Sequence, residues 1–295
     1  MRVRSAAAFT LLAAMAATQW AHAGWQYTTV TTTDSAGHEK QAAPMTVTGW
    51  VEGKKAKMEY KESENPVMKA GTYLVTQDGG QTLFLVNPKE RTYSKWDMQV
   101  MMTLAGGAMQ MMKMQFSDMK VEKLLDEAGE TMCGLPTRHY KIQTSYSMSM
   151  NFMGMKQASQ VTQMRDMWST TKLDAAGFAA WLKASEFKTG SDDLDKLIHA
   201  ETGKIQGFPL KTEMVQTTKS GNGKEKVTKS TCLVTELKET KIDDSQFVLP
   251  ADYKEVSLMP GAEASDDSAG GSATNQGAKS IPFGELMKLM QKRAP

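Results

Sequence analysis

Cysteine is scarce here: two residues, Cys133 and Cys232, among 295, so the chain can form no more than one intrachain bridge. Histidine is nearly as scarce. Beyond the first 23 residues it occurs as His38, His139 and His199, far apart and without a neighbouring ligand at metal spacing, which argues against a zinc site. There is no G-x-S-x-G elbow, no Walker loop and no H-E-x-x-H helix. Ser169-Thr170-Thr171-Lys172 matches S-x-x-K, but the pattern is short and its companion motifs are missing. With no catalytic constellation, the sequence points away from an enzyme, and it implies no cofactor.

Charge of one sign is also lacking. Lys and Arg number 35 against 33 Asp and Glu, and two of the basic residues, Arg2 and Arg4, stand in a segment expected to be removed. A balanced chain has no electrostatic reason to bind nucleic acid. The apolar run from Ala6 to Ala17 is shorter than the roughly 18 residues of a spanning helix. Two arginines before it and Ala21-His22-Ala23 after it match a secretory signal with a small-x-small cleavage site. Residues 1–23 are therefore expected to be cleaved, leaving a periplasmic or secreted protein that begins at Gly24. No cysteine follows the cleavage site to carry a lipid. In an oxidising compartment, Cys133 and Cys232 are expected to form a disulfide.

Methionine, by contrast, is abundant: 24 residues, crowded between Met98 and Met119 and again between Met148 and Met167. From Trp25 to Tyr93 the apolar pattern has period two, as in half-buried antiparallel strands. Ala56, Met58 and Tyr60, for example, alternate with Lys55, Lys57, Glu59 and Lys61. Asp78-Gly79-Gly80 predicts a hairpin turn between two such strands. Between Asp97 and Ala128 the period becomes helical, with Met98, Met102, Ala105, Met109, Met112, Phe116 and Met119 at spacings of four and three. Leu104, Ala108 and Met111 widen that stripe.

The clearest strand follows, with Tyr140, Ile142, Tyr146, Met148, Met150 and Phe152 on one side and His139, Lys141, Gln143, Ser145, Ser147 and Ser149 on the other. Lys156–Thr171 reads as its partner. Leu173–His199 turns helical, Lys204–Thr218 and Lys226–Leu237 flank the turn Gly221-Asn222-Gly223, and a last strand is expected over Phe247–Tyr253. Residues 259–280 have linker composition. In residues 281–293, Phe283, Leu286, Met287 and Met290 share a helical face beside Lys288, Lys292 and Arg293, an amphipathic pattern suited to a membrane surface or a partner protein.

Several short stretches carry a resemblance: Gly49-Trp50-Val51-Glu52-Gly53, Asn87-Pro88-Lys89-Glu90-Arg91-Thr92-Tyr93, Cys133-Gly134-Leu135-Pro136-Thr137-Arg138-His139-Tyr140, Gly207-Phe208-Pro209-Leu210 and Phe247-Val248-Leu249-Pro250-Ala251-Asp252-Tyr253. Together the chain resembles a secreted bacterial domain-of-unknown-function family, number 4412, that is similar in pattern to LolA/LolB-like lipoprotein carriers. The resemblance implies a mainly β (α+β) fold, an open antiparallel half-barrel with helices across its concave face, over residues 24–258. A Met-rich helical insertion at about 97–128 and helices at about 173–199 would complete the domain. Residues 259–280 would form a flexible linker, and 281–295 a C-terminal helix.

The methionines admit three explanations: ordinary core packing, an adaptable apolar cleft, and soft Cu(I) ligands. The cleft explanation takes Met98, Met102, Met109, Met112, Phe116, Tyr146, Met148, Met150 and Phe152 as its lining. A lipid or lipidated peptide would be the ligand. Copper binding and a purely structural envelope role are the alternatives.

Overall fold

The computed structural model describes residues 24–35, 43–152, 155–173 and 188–257. These hold one open sheet of twelve strands: β1 (Gly24–Ser35), β2 (Met45–Glu52), β3 (Lys55–Glu62), β4 (Tyr73–Thr76), β5 (Thr82–Asn87), β6 (Thr92–Asp97), β7 (Gln115–Ala128), β8 (Arg138–Phe152), β9 (Met155–Thr170), β10 (Phe208–Ser220), β11 (Glu225–Thr240) and β12 (Lys254–Glu255). Helix α1 (Met98–Met111) joins β6 to β7, and helix α2 (Asp192–Thr202) precedes β10. The order across the sheet is β12-β6-β5-β4-β3-β2-β1-β11-β10-β9-β8-β7. Two antiparallel meanders, β1–β6 and β7–β11, are thus zipped together where β1 pairs with β11, from Gly24↔Thr240 to Ser35↔Thr228. The fold is mainly β, as expected.

The glycine turns form where the sequence places them. Gly79 and Gly80 have φ of 78° and 89°, and the Asp78 carboxylate accepts from Thr76 Oγ1 at 2.9 Å and from the Thr82 amide at 3.0 Å, closing the loop between β4 and β5. Gly223, at φ 82°, serves the β10–β11 hairpin.

Three local expectations are corrected. The Met-rich helix does not reach residue 128. It ends at Met111, Lys113 takes a left-handed φ of 48°, and Gln115–Ala128 is strand β7 against β8. Phe116, Met119 and Val121 fit a strand interrupted by bulges as well as they fit a helix, and pairing with the long β8 decides between the two. Phe247–Tyr253 is not a strand either. A short 3₁₀ turn spans Asp244–Phe247 and the last strand is Lys254–Glu255, since Pro250 has no amide to give a ladder.

Cys133 and Cys232, finally, are free thiols. Cys133 and Gly134 form the centre of a two-residue turn, with φ of 49° and 75° and reciprocal Met132–Leu135 backbone bonds of 2.9 and 2.8 Å. This turn aims Cys133 Sγ at the Val234 carbonyl, 3.5 Å away, on the strand that carries Cys232. An oxidising compartment and neighbouring strands do not set the direction of a Cβ, and a bridge needs that direction. Of the expected helical stretch at 173–199, residues 174–187 lie outside the described residues, as do the linker and the C-terminal segment. Leu194, Leu197 and Ile198 are in α2.

Both faces of the first meander are covered. On the front face, Tyr27, Val51, Ala56, Leu210 and Val234 form one buried cluster and Val47, Tyr60, Leu74 and Leu83 the next. On the back face, Val75 and Val86 pack under Ile242 and Phe247 from the segment that follows β11, with Trp50, Tyr73, Phe84 and Tyr93 around them. This explains why β4 and β5 read as nearly continuous apolar runs rather than alternating ones.

Burial makes the core tyrosines harder to ionise. Tyr60, whose hydroxyl donates to Met68 Sδ at 3.0 Å, and Tyr73 are each pushed up to about 12 from the ordinary 10.0. The folded chain holds these protons more tightly than the unfolded one. The resulting stabilisation is fully present below pH 10.0 and is lost as the pH rises toward about 12. Urea unfolding measured across that window is expected to show the decline, and Tyr60→Phe to flatten it; an unchanged slope in the variant would count against the linkage.

Candidate functional site

β6 ends at Asp97, whose carboxylate caps α1 by accepting from the Val100 amide at 3.0 Å. The helix that follows contains no charged residue. Its two sides differ in environment. Met98, Met101, Met102 and Met109 are half-buried, while Val100, Leu104 and Met111 are 53%, 52% and 61% exposed. Gly106 is buried against the segment leading into α2, and a Cβ there would stand 1.8 Å from the Thr189 carbonyl oxygen, so α1 and that segment meet backbone to backbone.

The residues expected to line a cleft fall into two groups at the ends of α1. Met98 belongs to the front-face cluster of Val47, Tyr60, Leu74 and Leu83, together with Met45, Met58 and Met68. At the other end, the Met112 carbonyl accepts from the Asn151 amide at 3.0 Å, which ties the helix to the tip of β8. There Phe116 stands opposite Met148 in register and its ring lies 5.9 Å from that of Tyr146, tilted by 60°. Met148 also borders a cavity of 360 Å³, lined mainly by Ser117, Ser147, Ser149, Gln160 and Lys219, which lie in the opposite strand phase. Met150 is half-buried opposite Gln157, and Phe152 pairs with Met155 at the β8–β9 turn, its side chain outside the described residues. The nine residues therefore do not surround one point. They run along the front face and its bordering helix.

The sequence alone did not show a polar group in the middle of this face. Ile142, Arg165, Met214 and Ser230 stand in one row across β8, β9, β10 and β11, and Thr144, Gln163, Gln216 and Thr228 in the next. Glu201, in the last turn of α2, reaches down to both rows. Its Oε1 accepts from Thr144 Oγ1 at 2.5 Å and its Oε2 lies 3.3 Å from Arg165 Nη1. Arg165 Nη2 donates to Gln163 Oε1 at 3.3 Å. Burial raises the pKa of Tyr146 next to them, and the Glu201 carboxylate adds to that. The available signal was parity: Arg165 has the same strand phase as the buried Val161 and Met167, and so points toward the core.

On the back face of the same strands His139 stacks on Trp168 at 4.2 Å and shares Asp166 with Lys141, while Lys211 Nζ sits 4.3 Å from the Trp168 ring. Among the described residues no three His, Cys, Asp or Glu side chains converge as metal ligands. Ser169 of the S-x-x-K pattern is buried and its Oγ lacks a hydrogen-bond partner, while Lys172 is exposed. A substrate has no access to that serine.

Residues 35–253, which include α1, α2 and every residue of the front-face site, match the family described as Domain of unknown function (DUF4412). The chain belongs to that family. No curated protein matches it. This DUF4412 domain offers a methionine-bordered face with charged groups set into it at Arg165–Glu201 and at Lys123–Asp126–Arg138.

Proposed function

We propose that this DUF4412 protein binds an apolar ligand, a lipid or the acyl chains of a lipidated peptide, between the front face and its helices, without catalysing a reaction. The observation that carries this is the Phe116–Tyr146–Met148 group, half-buried at the tip of β8 beside the end of α1. Flexible thioether side chains suit variable acyl chains. The sheet would be curled into a half-barrel of the kind LolA/LolB-like carriers have. What supports curvature is the short connection between the edges. Ten strand spacings separate β6 from β7 in the sheet order, roughly 48 Å if flat. The 14-residue α1 rises only about 21 Å, and residues 112–114 extend it by about 10 Å at most. The leader-like first 23 residues favour a periplasmic or secreted location.

Native mass spectrometry of protein recovered from the periplasmic fraction tests location and ligand together. The expected result is a chain starting at Gly24 with a co-purifying lipid. Replacing Met98, Met102, Met109 and Met112 with leucine keeps the apolar volume and removes the soft ligands. This variant is expected to bind a fluorescent fatty acid within about threefold of the parent, as volume-conserving swaps allow. Failure of both proteins to bind the probe, with Cu(I) affinity present in the parent and absent in the variant, would replace the lipid interpretation with copper binding.

A further inference from the structure

Arg165 is a charged residue set largely buried into the front face. Its side chain is 24% exposed and that of Glu201 16%, and the row that holds Arg165 places Ile142 and Met214 on either side, with Tyr140 and Met167 one row away. Removing two charges from water costs about as much as their attraction returns, so an ion pair here contributes little to folding. Among the described residues the five guanidinium donors meet two acceptors, Glu201 and Gln163. A planar, permanently charged fork of this kind is suited to a carboxylate or phosphate. Glu201 is itself a carboxylate, delivered by a helix outside the sheet.

We infer that Arg165 is the anchor for the anionic head group of a single-chain amphiphile, and that Glu201 occupies that position in the empty protein. This inference rests on the apolar-ligand function proposed above and specifies its ligand class. The tail path runs along the front face of β8. From Ile142, opposite Arg165, to Met148 is six residues along β8, about 20 Å. The front-face residues between them include the buried Thr144 and the Tyr146 ring that meets Phe116. A head group on Arg165 would thus direct a long acyl tail along this face toward the Phe116–Tyr146–Met148 group. A carboxylate or phosphate ester arriving at Arg165 displaces Glu201, which retains its bond from Thr144 Oγ1.

The test is displacement of the neutral probe N-phenyl-1-naphthylamine from the full mature chain by dodecanoate, dodecyl phosphate, dodecanol and inorganic phosphate. The two anionic amphiphiles are expected to bind about tenfold or more tightly than dodecanol, the scale of a charge-assisted hydrogen bond, while inorganic phosphate alone does not compete. Arg165→Met should bring the anions down to the level of dodecanol and leave dodecanol unchanged. Arg165→Lys should retain part of the preference. Glu201→Gln should tighten the anions several-fold by removing their competitor. Anion affinity unchanged in Arg165→Met, equal loss of anions and dodecanol, or competition by inorganic phosphate alone would each overturn the anchor while leaving apolar binding in place. If wild-type protein binds neither the probe nor any amphiphile, the apolar-ligand function itself fails and the anchor fails with it.

Discussion

Replacing Phe247 with alanine is expected to lower the unfolding free energy by about 3–5 kcal/mol, a drop in midpoint temperature on the order of 10 °C for a domain of this size. Phe247 is 1% exposed and lies at the centre of the back-face cluster with Val75, Val86 and Ile242. Its carbonyl accepts from Gln77 Nε2 at 2.7 Å, and the Lys55 ammonium lies 5.9 Å from its ring. The truncation therefore leaves a hole between the first meander and the segment that covers it. The neighbouring Val248 is 56% exposed, so Val248→Ala should cost less than about 0.5 kcal/mol and serves as the control. Urea unfolding of the two variants measures both. If Phe247→Ala comes within about 1 kcal/mol of the parent, the covering segment is not a packed layer of the fold.

The second large effect is expected at Gly49. A Cβ built there would lie 2.1 Å from Tyr27 Cζ and 2.4 Å from its hydroxyl oxygen, because the Tyr27 ring crosses β2 at this residue. Tyr27 is 3% exposed and its ring stands 5.9 Å from Phe208, at the centre of the cluster that joins the two meanders. Any side chain at 49 must expel that ring, so Gly49→Ala should cost about 2–4 kcal/mol, the scale of a severely overpacked core. The decisive measurement is a double-mutant cycle. Once Tyr27→Ala has removed the ring, Gly49→Ala should cost less than about 1 kcal/mol more. Additive losses would mean that residue 49 acts through the backbone and not through Tyr27.

Much of this architecture could be read in the sequence because the signals were local. Alternation in Tyr140–Met150 and glycine turns at Gly79-Gly80 and Gly221-Asn222-Gly223 identify strands and hairpins, since side-chain period and left-handed φ are properties of a few consecutive residues. The uncharged helix from Met98 was legible for the same reason, but its end was not: Phe116 and Met119 suit either period, and only pairing with β8 makes that stretch a strand. The cysteines show a similar limit, because their proximity to neighbouring strands carried no information about where Cys133 Sγ points.

By itself the sequence determined the β character, the alternating faces of strands such as Tyr140–Met150 and the hairpins, all of which follow from short-range periodicity and turn chemistry. Tertiary structure alone decided that Met98 and Met148 lie at opposite ends of one bordering helix, that Tyr27 fills the space above Gly49, and that Glu201 meets Arg165, 36 positions before it in the chain. The physical reason is that periodicity tells a residue which side to face but not which distant segment will cover it. That choice is made by packing and by the pairing of buried polar groups once the whole sheet has formed.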